Sequence, residues 1–231
     1  STVDIGATKL NHVSVTNAYG MPRWVSDISE VRYGAIVAEG ASPTMTALKF
    51  EGVNTTSLLI LDLARPDIVG GEFTVGDDAT SLVGSAIQAY GAGSAIQPLS
   101  ILSPIFTGTE NGCGQNDDGR HVLWVEESYV DIQNAVITNG DYGIRLDDSA
   151  GSVTSSTIDT TCNGIDVNNK KTAGNNIAYK LTVANNKITT ADRSPLTAFN
   201  FAWVDFNNNI IDGAGEGSGV QISKSQVNIN G

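Results

Sequence analysis

Basic residues are scarce in this chain of 231 residues. It has 13 lysines and arginines against 25 aspartates and glutamates, which gives a net charge of −12. A protein that binds nucleic acid needs basic patches for the phosphates, and an anionic membrane surface attracts basic residues in the same way. The composition therefore argues against nucleic acid and membrane surfaces as partners.

Long hydrophobic runs are also missing. The sequence has no run of 18 apolar residues, and its first residues do not have the pattern of a signal peptide. We therefore expect no membrane insertion. The chain is expected to be a mature protein, an excised fragment, or a protein secreted by a route that leaves no leader.

Cysteine and histidine are too few for a zinc site. The two histidines, His12 and His121, are far apart and have no cysteine pair beside them. The two cysteines, Cys113 and Cys162, set no disulfide framework. We predict two free thiols, with a single disulfide as the alternative.

No stretch between residues 121 and 213 has the length and period of a helix. Instead, a short phrase recurs every 21 residues, at 123–126, 144–147 and 165–168. A second phrase recurs in parallel, in the triplets Ile132, Asn134 and Ile137; Val153, Ser155 and Ile158; Val183, Asn185 and Ile188; and Phe206, Asn207 and Ile210. Such repeats mark units that bury their apolar faces only by stacking on one another.

Each unit consists of short strands, because apolar and polar residues alternate over three or four positions between turn-forming residues. Stacked units of this kind form a parallel β-solenoid with equivalent residues about 4.8 Å apart. The predicted core contains Leu123, Val125, Ile144, Leu146, Ile165 and Val167. The polar residues Asn134, Ser155, Asn185 and Asn207 are expected to stack in a column at one corner and to hydrogen-bond along it.

The phrase at 143–149, Gly-Ile-Arg-Leu-Asp-Asp-Ser, and the phrase at 152–158, Ser-Val-Thr-Ser-Ser-Thr-Ile, resemble the coils of right-handed parallel β-helix proteins. That superfamily includes pectate lyases, polygalacturonases and the tailspike depolymerases of bacteriophages. The resemblance covers about residues 121–213. It implies an all-β fold, a right-handed, single-stranded parallel β-helix.

We expect one such domain over residues 1–231. Similar phrases at 8–18 and 219–230 lack caps, so we expect a piece of a longer helix or ends covered by other chains. Residues 18–45 break the rhythm and are predicted to be an irregular excursion. Two polar stretches, 108–119 and 168–179, are predicted to be loop insertions, where function is often located.

Alternation along the strands sends a set of polar side chains outward on one face. In the resembling enzymes this sheet is the floor of the sugar-binding cleft, and the two insertions would form its walls. The outward residues are Trp124, Glu126, Arg145, Asp147, Asp166 and Asn168.

The carboxylates of this face, Glu126, Asp147 and Asp166, are the predicted catalytic residues. Stacked carboxylates repel each other, which favours one protonated partner that acts as an acid beside a base or nucleophile. Glycoside hydrolysis uses such a pair, at roughly 5 Å for retention and 6.5–9.5 Å for inversion. Glu126 with Asp147 fits the shorter distance, and Glu126 with Asp166 fits the longer one.

Substrate binding is assigned to residues around these acids. The ring of Trp124 offers a flat face for a sugar, and Arg145 can hold a carboxylate or hydroxyl. Asp148, Asn168, Arg120 and His121 complete the predicted binding set.

Other interpretations of these residues stay open. The face can be a solvated acidic surface, and Arg120 with His121 can be a surface pair without function. Stacked Asp and Asn oxygens also suit calcium, although we predict no cofactor.

The sequence lacks the motifs of the plant cell-wall enzymes. The polygalacturonase set Asn-Thr-Asp, Gly-His-Gly and Arg-Ile-Lys is missing, and so is the pectate lyase motif Arg-x-Pro-x-x-Arg. The resemblance therefore implies a tailspike-like depolymerase that binds and hydrolyses a bacterial capsule or O-antigen. Such a protein would be a homotrimer that is extracellular or part of a virion. The alternatives are a glycan-binding adhesion module without activity, and a polysaccharide lyase or epimerase.

Overall fold

The computed structural model of the chain describes residues 8–25, 30–75, 84–109, 113, 121–169, 180–200, 202–213 and 217–231. Throughout this part of the chain the regular structure is β-strand, and none of the described residues lies in a helix. The described residues accordingly contain no helix long and apolar enough to cross a membrane.

The strands follow one another at short intervals. The first nine are β1 (Lys9–Asn11), β2 (Ser14–Thr16), β3 (Met21–Val25), β4 (Glu30–Glu39), β5 (Thr44–Thr46), β6 (Lys49–Val53), β7 (Thr56–Leu61), β8 (Asp67–Val69) and β9 (Glu72–Val75). The next nine are β10 (Ile87–Tyr90), β11 (Leu99–Leu102), β12 (Ile105–Thr107), β13 (His121–Glu126), β14 (Tyr129–Gln133), β15 (Val136–Gly140), β16 (Tyr142–Asp147), β17 (Ala150–Thr154) and β18 (Thr157–Thr160). The last are β19 (Ile165–Asn168), β20 (Lys180–Ala184), β21 (Lys187–Thr190), β22 (Leu196–Phe199), β23 (Trp203–Asn207), β24 (Ile210–Asp212), β25 (Val220–Ser223) and β26 (Gln226–Asn230).

These strands form three sheets that the chain visits in rotation. Sheet 1 has the order β1-β5-β8-β11-β14-β17-β20-β23-β26, and sheet 2 has the order β2-β6-β9-β12-β15-β18-β21-β24. Sheet 3 has the order β25-β22-β19-β16-β13-β10-β7-β4-β3. Every pairing is parallel except that of β3 with β4. Three successive strands thus make one coil, an arrangement consistent with a β-helix or solenoid.

The register of sheet 3 confirms the 21-residue repeat. Leu123 pairs with Ile144 and Ile144 with Ile165, while Val125, Leu146 and Val167 form the neighbouring column. All six predicted core residues are buried. The apolar positions of the strands therefore stack coil on coil and close the core by pairing with their own copies.

The second repeat is confirmed with one shift. Ile158 pairs with Ile188 as predicted, but the next residue in that column is Ile211, whereas Ile210 is 63% exposed. Phe206 keeps its predicted place below Val183. In each coil the inward residue of sheet 2 is the fifth residue after the buried residue of sheet 1, as Ile211 is after Phe206. The prediction placed it at the fourth residue, Ile210.

The predicted column of hydrogen-bonded side chains at the corner is also displaced by one residue along the chain. Asn134, Ser155, Asn185 and Asn208 take positive φ values and are exposed, and Asn207 belongs to β23. The residues that follow them point inward and make the ladder. Ser156 N donates to Asn186 Oδ1 over 2.8 Å, and Asn186 N donates to Asn209 Oδ1 over 2.9 Å. The left-handed turn residue faces solvent, so its successor supplies the amide ladder.

The described residues of the predicted excursion, 18–25 and 30–45, contain regular strands. β3 and β4 form an antiparallel pair, and β4 continues in parallel with β7. Val25 packs against Leu59, Leu61 and Tyr90 in a second apolar cluster. The strands of this β3–β4 hairpin form here because the outward side chains of β7 and β10 beneath them are apolar, and burying these side chains is favourable.

The prediction of two free thiols is wrong. Cys113 and Cys162 form a disulfide with a Cα–Cα distance of 5.5 Å. The two residues lie in different coils and are 49 positions apart in the sequence, and the stacking of the coils brings them together. Of the predicted insertions, residues 110–112, 114–119 and 170–179 lie outside the described part of the chain.

Candidate functional site

The outer face of sheet 3 carries the predicted site residues in two adjacent columns. Trp124, Arg145 and Asp166 are direct partners in successive strands. Glu126, Asp147 and Asn168 form the next column in the same strands. Alternation and period therefore place these side chains side by side, yet the face divides into a closed half and an open half.

The closed half consists of Trp124, Glu126 and Asp147. The side chain of Asp147 has no exposed surface, and its Oδ2 accepts hydrogen bonds from Arg145 Nε at 2.9 Å and from Trp124 Nε1 at 3.2 Å. A catalytic carboxylate must reach the substrate. Asp147 instead holds two neighbouring side chains in place.

Arg32 of the β3–β4 hairpin covers this half from above. Its guanidinium carbon lies 4.3 Å from the centre of the Trp124 ring, and Nη2 lies 3.4 Å from Glu126 Oε2. The space left around these residues is about 10 Å³, which is less than a sugar needs. The aromatic surface predicted as a sugar platform is occupied by the protein itself.

The open half is a cleft of about 580 Å³ on the same sheet. Its lining is partly polar and partly apolar, and consists of residues from the strands of sheet 3 and from turns that follow β21 and precede β25. The residues that line the cleft include His121, Tyr142, Arg145, Asn163, Asp166, Asn168, Asp192, Arg193, Thr197, Phe199, Asn200 and Gln221.

Asp166 lies at the centre of the hydrogen bonds in the cleft. Its Oδ1 accepts hydrogen bonds from Asn163 Nδ2, at 2.9 Å, and from the hydroxyl of Thr197. Its Oδ2 lies 3.4 Å from His121 Nε2. With 17% of its side chain exposed, the carboxylate is oriented from two sides and still open to the cleft.

His121 forms the buried wall beside this carboxylate. It is 2% exposed, and its ring centre lies 4.9 Å from that of Tyr142. Its Nδ1 is buried and has no hydrogen-bond partner among the residues that the structure describes. The imidazole thus joins Asp166 to an aromatic side chain.

Arg193 closes the cleft at the turn after β21. Its Nη1 donates to the hydroxyl of Tyr142 at 3.1 Å, and its Nη2 donates to the carbonyl of Cys113 at 3.3 Å. Asp192 precedes it and is exposed. The cleft therefore contains two accessible carboxylates, Asp166 and Asp192, and two guanidinium groups.

Four predicted site residues line the cleft, namely His121, Arg145, Asp166 and Asn168. Four others do not: Trp124, Glu126 and Asp147 belong to the closed half, and Asp148 is buried at the corner, 3% exposed. Arg120 lies outside the described residues. Asp147 is thus shielded from solvent by Arg145 and Trp124, while Glu126 keeps 14% of its side chain exposed and contacts Arg32.

The sequence predictions missed most of the residues that line the cleft. Tyr142 and Asn163 follow His121 at the same 21-residue interval, so the repeat itself contained the signal for them. Thr197 and Gln221 continue the column of Asp166 but at longer intervals, because the coils change length. No repeat signal identifies Asp192 or Arg193, which lie in a turn.

The described residues include no group of three or more histidines, cysteines, aspartates or glutamates placed to hold a metal ion. Asp147, one of the stacked acids that suggested calcium, contacts Arg145 instead. The expectation of no cofactor and the calcium alternative both stay predictions from the sequence.

No protein-family model matches the chain, and neither a curated protein nor a solved structure is similar to it.

Proposed function

We propose that the chain is a right-handed parallel β-helix of the tailspike type that binds and cleaves a bacterial surface glycan, a capsule or an O-antigen, in the open half of sheet 3. Cleavage is by glycoside hydrolysis with carboxylates. The observation that carries this proposal is Asp166, held by Asn163, Thr197 and His121 and open to a cleft of about 580 Å³.

The size and lining of the cleft support a sugar ligand. Its volume is in the range of roughly 300–1,000 Å³ that small-molecule sites have. Amide side chains, which donate and accept, suit the hydroxyl groups of a sugar, and Asn168, Asn200 and Gln221 supply them. Phe199, which is half-buried, supplies aromatic surface for a sugar ring.

Asp166 and Asp192 take the catalytic roles in this proposal. Both oxygens of Asp166 are engaged, so its carboxylate is fixed, as a nucleophile or base needs to be. Asp192 is an exposed acid in the same cleft and is assigned proton donation to the leaving oxygen. This pair replaces Glu126 and Asp147, because Asp147 is buried.

A polysaccharide lyase is the second candidate, and a specific arrangement favours it. Asp166, which contacts His121, stands beside Arg145 and Arg193 in one cleft. β-Elimination of a uronate needs a base for the C5 proton and a cation for the carboxylate, and this set contains both.

Assembly and location follow from the same resemblance. We propose a homotrimer that is extracellular or part of a virion. The Cys113–Cys162 disulfide supports this location, because disulfides persist in oxidising compartments. Light scattering at micromolar concentration tests the assembly, and a monomer would contradict it.

The test of function is incubation with a panel of capsules and O-antigens. New reducing ends without absorbance of unsaturated uronate support a hydrolase, and both signals together support a lyase. Binding without either signal leaves an adhesion module and contradicts cleavage.

Asp166→Asn identifies the site. We expect a loss of turnover of about 10²–10⁴-fold with folding intact, because the substitution removes the proposed base or nucleophile. Asp131→Asn, the same change on sheet 1, is the matched control and should change turnover by less than about twofold. Full activity of Asp166→Asn would place the chemistry elsewhere.

A further inference from the structure

The disulfide joins the cleft at its rim. Cys162 is buried and is followed by Asn163, whose side chain donates to Asp166. The main-chain N–H of Cys162 donates to the carbonyl of Asp141 at 2.7 Å, so the coil fixes the position of Cys162. Cys113 is therefore attached covalently to a rigid part of the cleft wall.

The carbonyl of Cys113 in turn holds Arg193. One guanidinium nitrogen donates to this carbonyl at 3.3 Å, and the other terminal nitrogen donates to the hydroxyl of Tyr142 at 3.1 Å. A guanidinium is planar and presents its donors in a fixed fork, so one anchored end determines where the other end points. Arg193 bridges the rim and the floor of the cleft.

The contacts continue from Tyr142 to the reacting groups. The ring of Tyr142 lies 4.9 Å from that of His121, and His121 lies 3.4 Å from Asp166. Two routes thus connect the disulfide to Asp166, one through Arg193, Tyr142 and His121, the other through Asn163.

We propose that the Cys113–Cys162 disulfide and Arg193 form one positioning unit, and that reduction of the disulfide loosens the cleft and weakens its ligand binding. In the reduction, two molecules of a small thiol are oxidised to one external disulfide, and Cys113 and Cys162 each become a thiol. The contacts that define this unit belong to the free protein, while its effect on glycan binding rests on the proposed function.

Hydrogen–deuterium exchange on the free protein tests the unit without any ligand. After treatment with dithiothreitol, checked by thiol titration, amides in 141–146 and 192–197 should exchange faster. Those in 129–133 on sheet 1 are the internal control and should not change. Unchanged exchange at 141–146 and 192–197 in fully reduced protein would overturn the proposal.

A double-mutant cycle tests the route through Arg193. Cys113→Ser/Cys162→Ser and Arg193→Ala should each weaken binding of the glycan selected from the panel by about tenfold, since the first loosens the anchor of Arg193 and the second removes its hydrogen bond to Tyr142. Their combination should be no weaker than either alone, because both act through the same contact. Additive losses would contradict the unit.

Two further variants separate positioning from charge and from general damage. Arg193→Lys keeps the charge but loses the fork, so binding should stay weak, whereas recovery would show that only charge matters. Arg23→Ala, in the β3–β4 hairpin, is the control and should bind as the unchanged protein does. If no glycan in the panel binds, the proposed function fails, and the exchange experiment still decides the positioning unit.

Discussion

The two halves of the outer face of sheet 3 contain similar residues in different surroundings. In the closed half, Glu126 and Asp147 each contact an arginine, and a third group, Trp124, lies between two guanidinium groups. In the open half, Asp166 is held by an amide, a hydroxyl and an imidazole and faces a cleft. The same strands and the same alternation produced both halves.

The difference between the halves comes from the β3–β4 hairpin. It brings Arg32 to Glu126 across a sequence separation of 94 residues, and it covers the apolar positions of β7 and β10. Burying a carboxylate costs free energy unless it is paired, so covered acids need arginine partners. Carboxylates in a column do not by themselves make a site, because Asp147 is buried and Glu126 borders a space of about 10 Å³, whereas Asp166 lines a cleft of about 580 Å³.

The largest effect on stability should distinguish Asp147 from Asp166. Asp147→Ala removes the fully buried partner of Arg145 and should lower the free energy of unfolding by about 3 kcal/mol or more. Asp166→Ala lies in the open half and should cost at least about 2 kcal/mol less, since the Asp166 side chain is 17% exposed and water in the cleft can take the place of its carboxylate. Urea unfolding measures both, and equal losses would remove the distinction between the halves.

Opening the closed half should have a smaller effect. Arg32→Ala removes the guanidinium that covers Trp124 and contacts Glu126, and we expect a loss of about 1–3 kcal/mol. Acrylamide quenching of tryptophan fluorescence should increase, and a Trp124→Phe background should abolish the increase.

Arg23 offers the control for this prediction. It lies in the same hairpin, in an exposed pair with Glu39, so Arg23→Ala should change neither stability nor quenching measurably. A rise in quenching in Arg23→Ala as large as in Arg32→Ala would mean that the hairpin as a whole, not Arg32, shields Trp124.

The smallest effect is expected for a half-buried ion pair on sheet 1, Lys180 with Asp205, which serves as a reference for the buried pair of Arg145 and Asp147. The hydrogen bond from Lys180, together with that from Asn228, lowers the pKa of Asp205. The stabilisation is therefore present at neutral pH and is lost as the pH falls below about 4, through the lowered pKa of the folded state. Asp205→Asn should slightly flatten the acid limb of stability against pH, whereas Asp147→Ala should lower stability across the neutral range.

The sequence by itself determined the stacking. A repeat of 21 residues fixes which side chains pair, because each strand hydrogen-bonds to its own copy in the next coil, and the apolar columns at 123, 144 and 165 follow directly. The same interval assigns Trp124, Arg145 and Asp166 to one column. Errors of one residue arose at the corners, where Asn208 and Ile211 depend on turn geometry rather than on the repeat.

Only the tertiary structure decided which acids face a cleft. Arg32, Cys113 and Arg193 lie in segments that do not repeat, and their contacts with Glu126, Cys162 and Tyr142 span many coils or cross between turns. A periodic pattern specifies neighbours one coil apart, since that pairing is what the period encodes. The segments that cover the outer face of sheet 3 do not repeat. Their positions depend on packing and charge pairing, which the repeat does not encode.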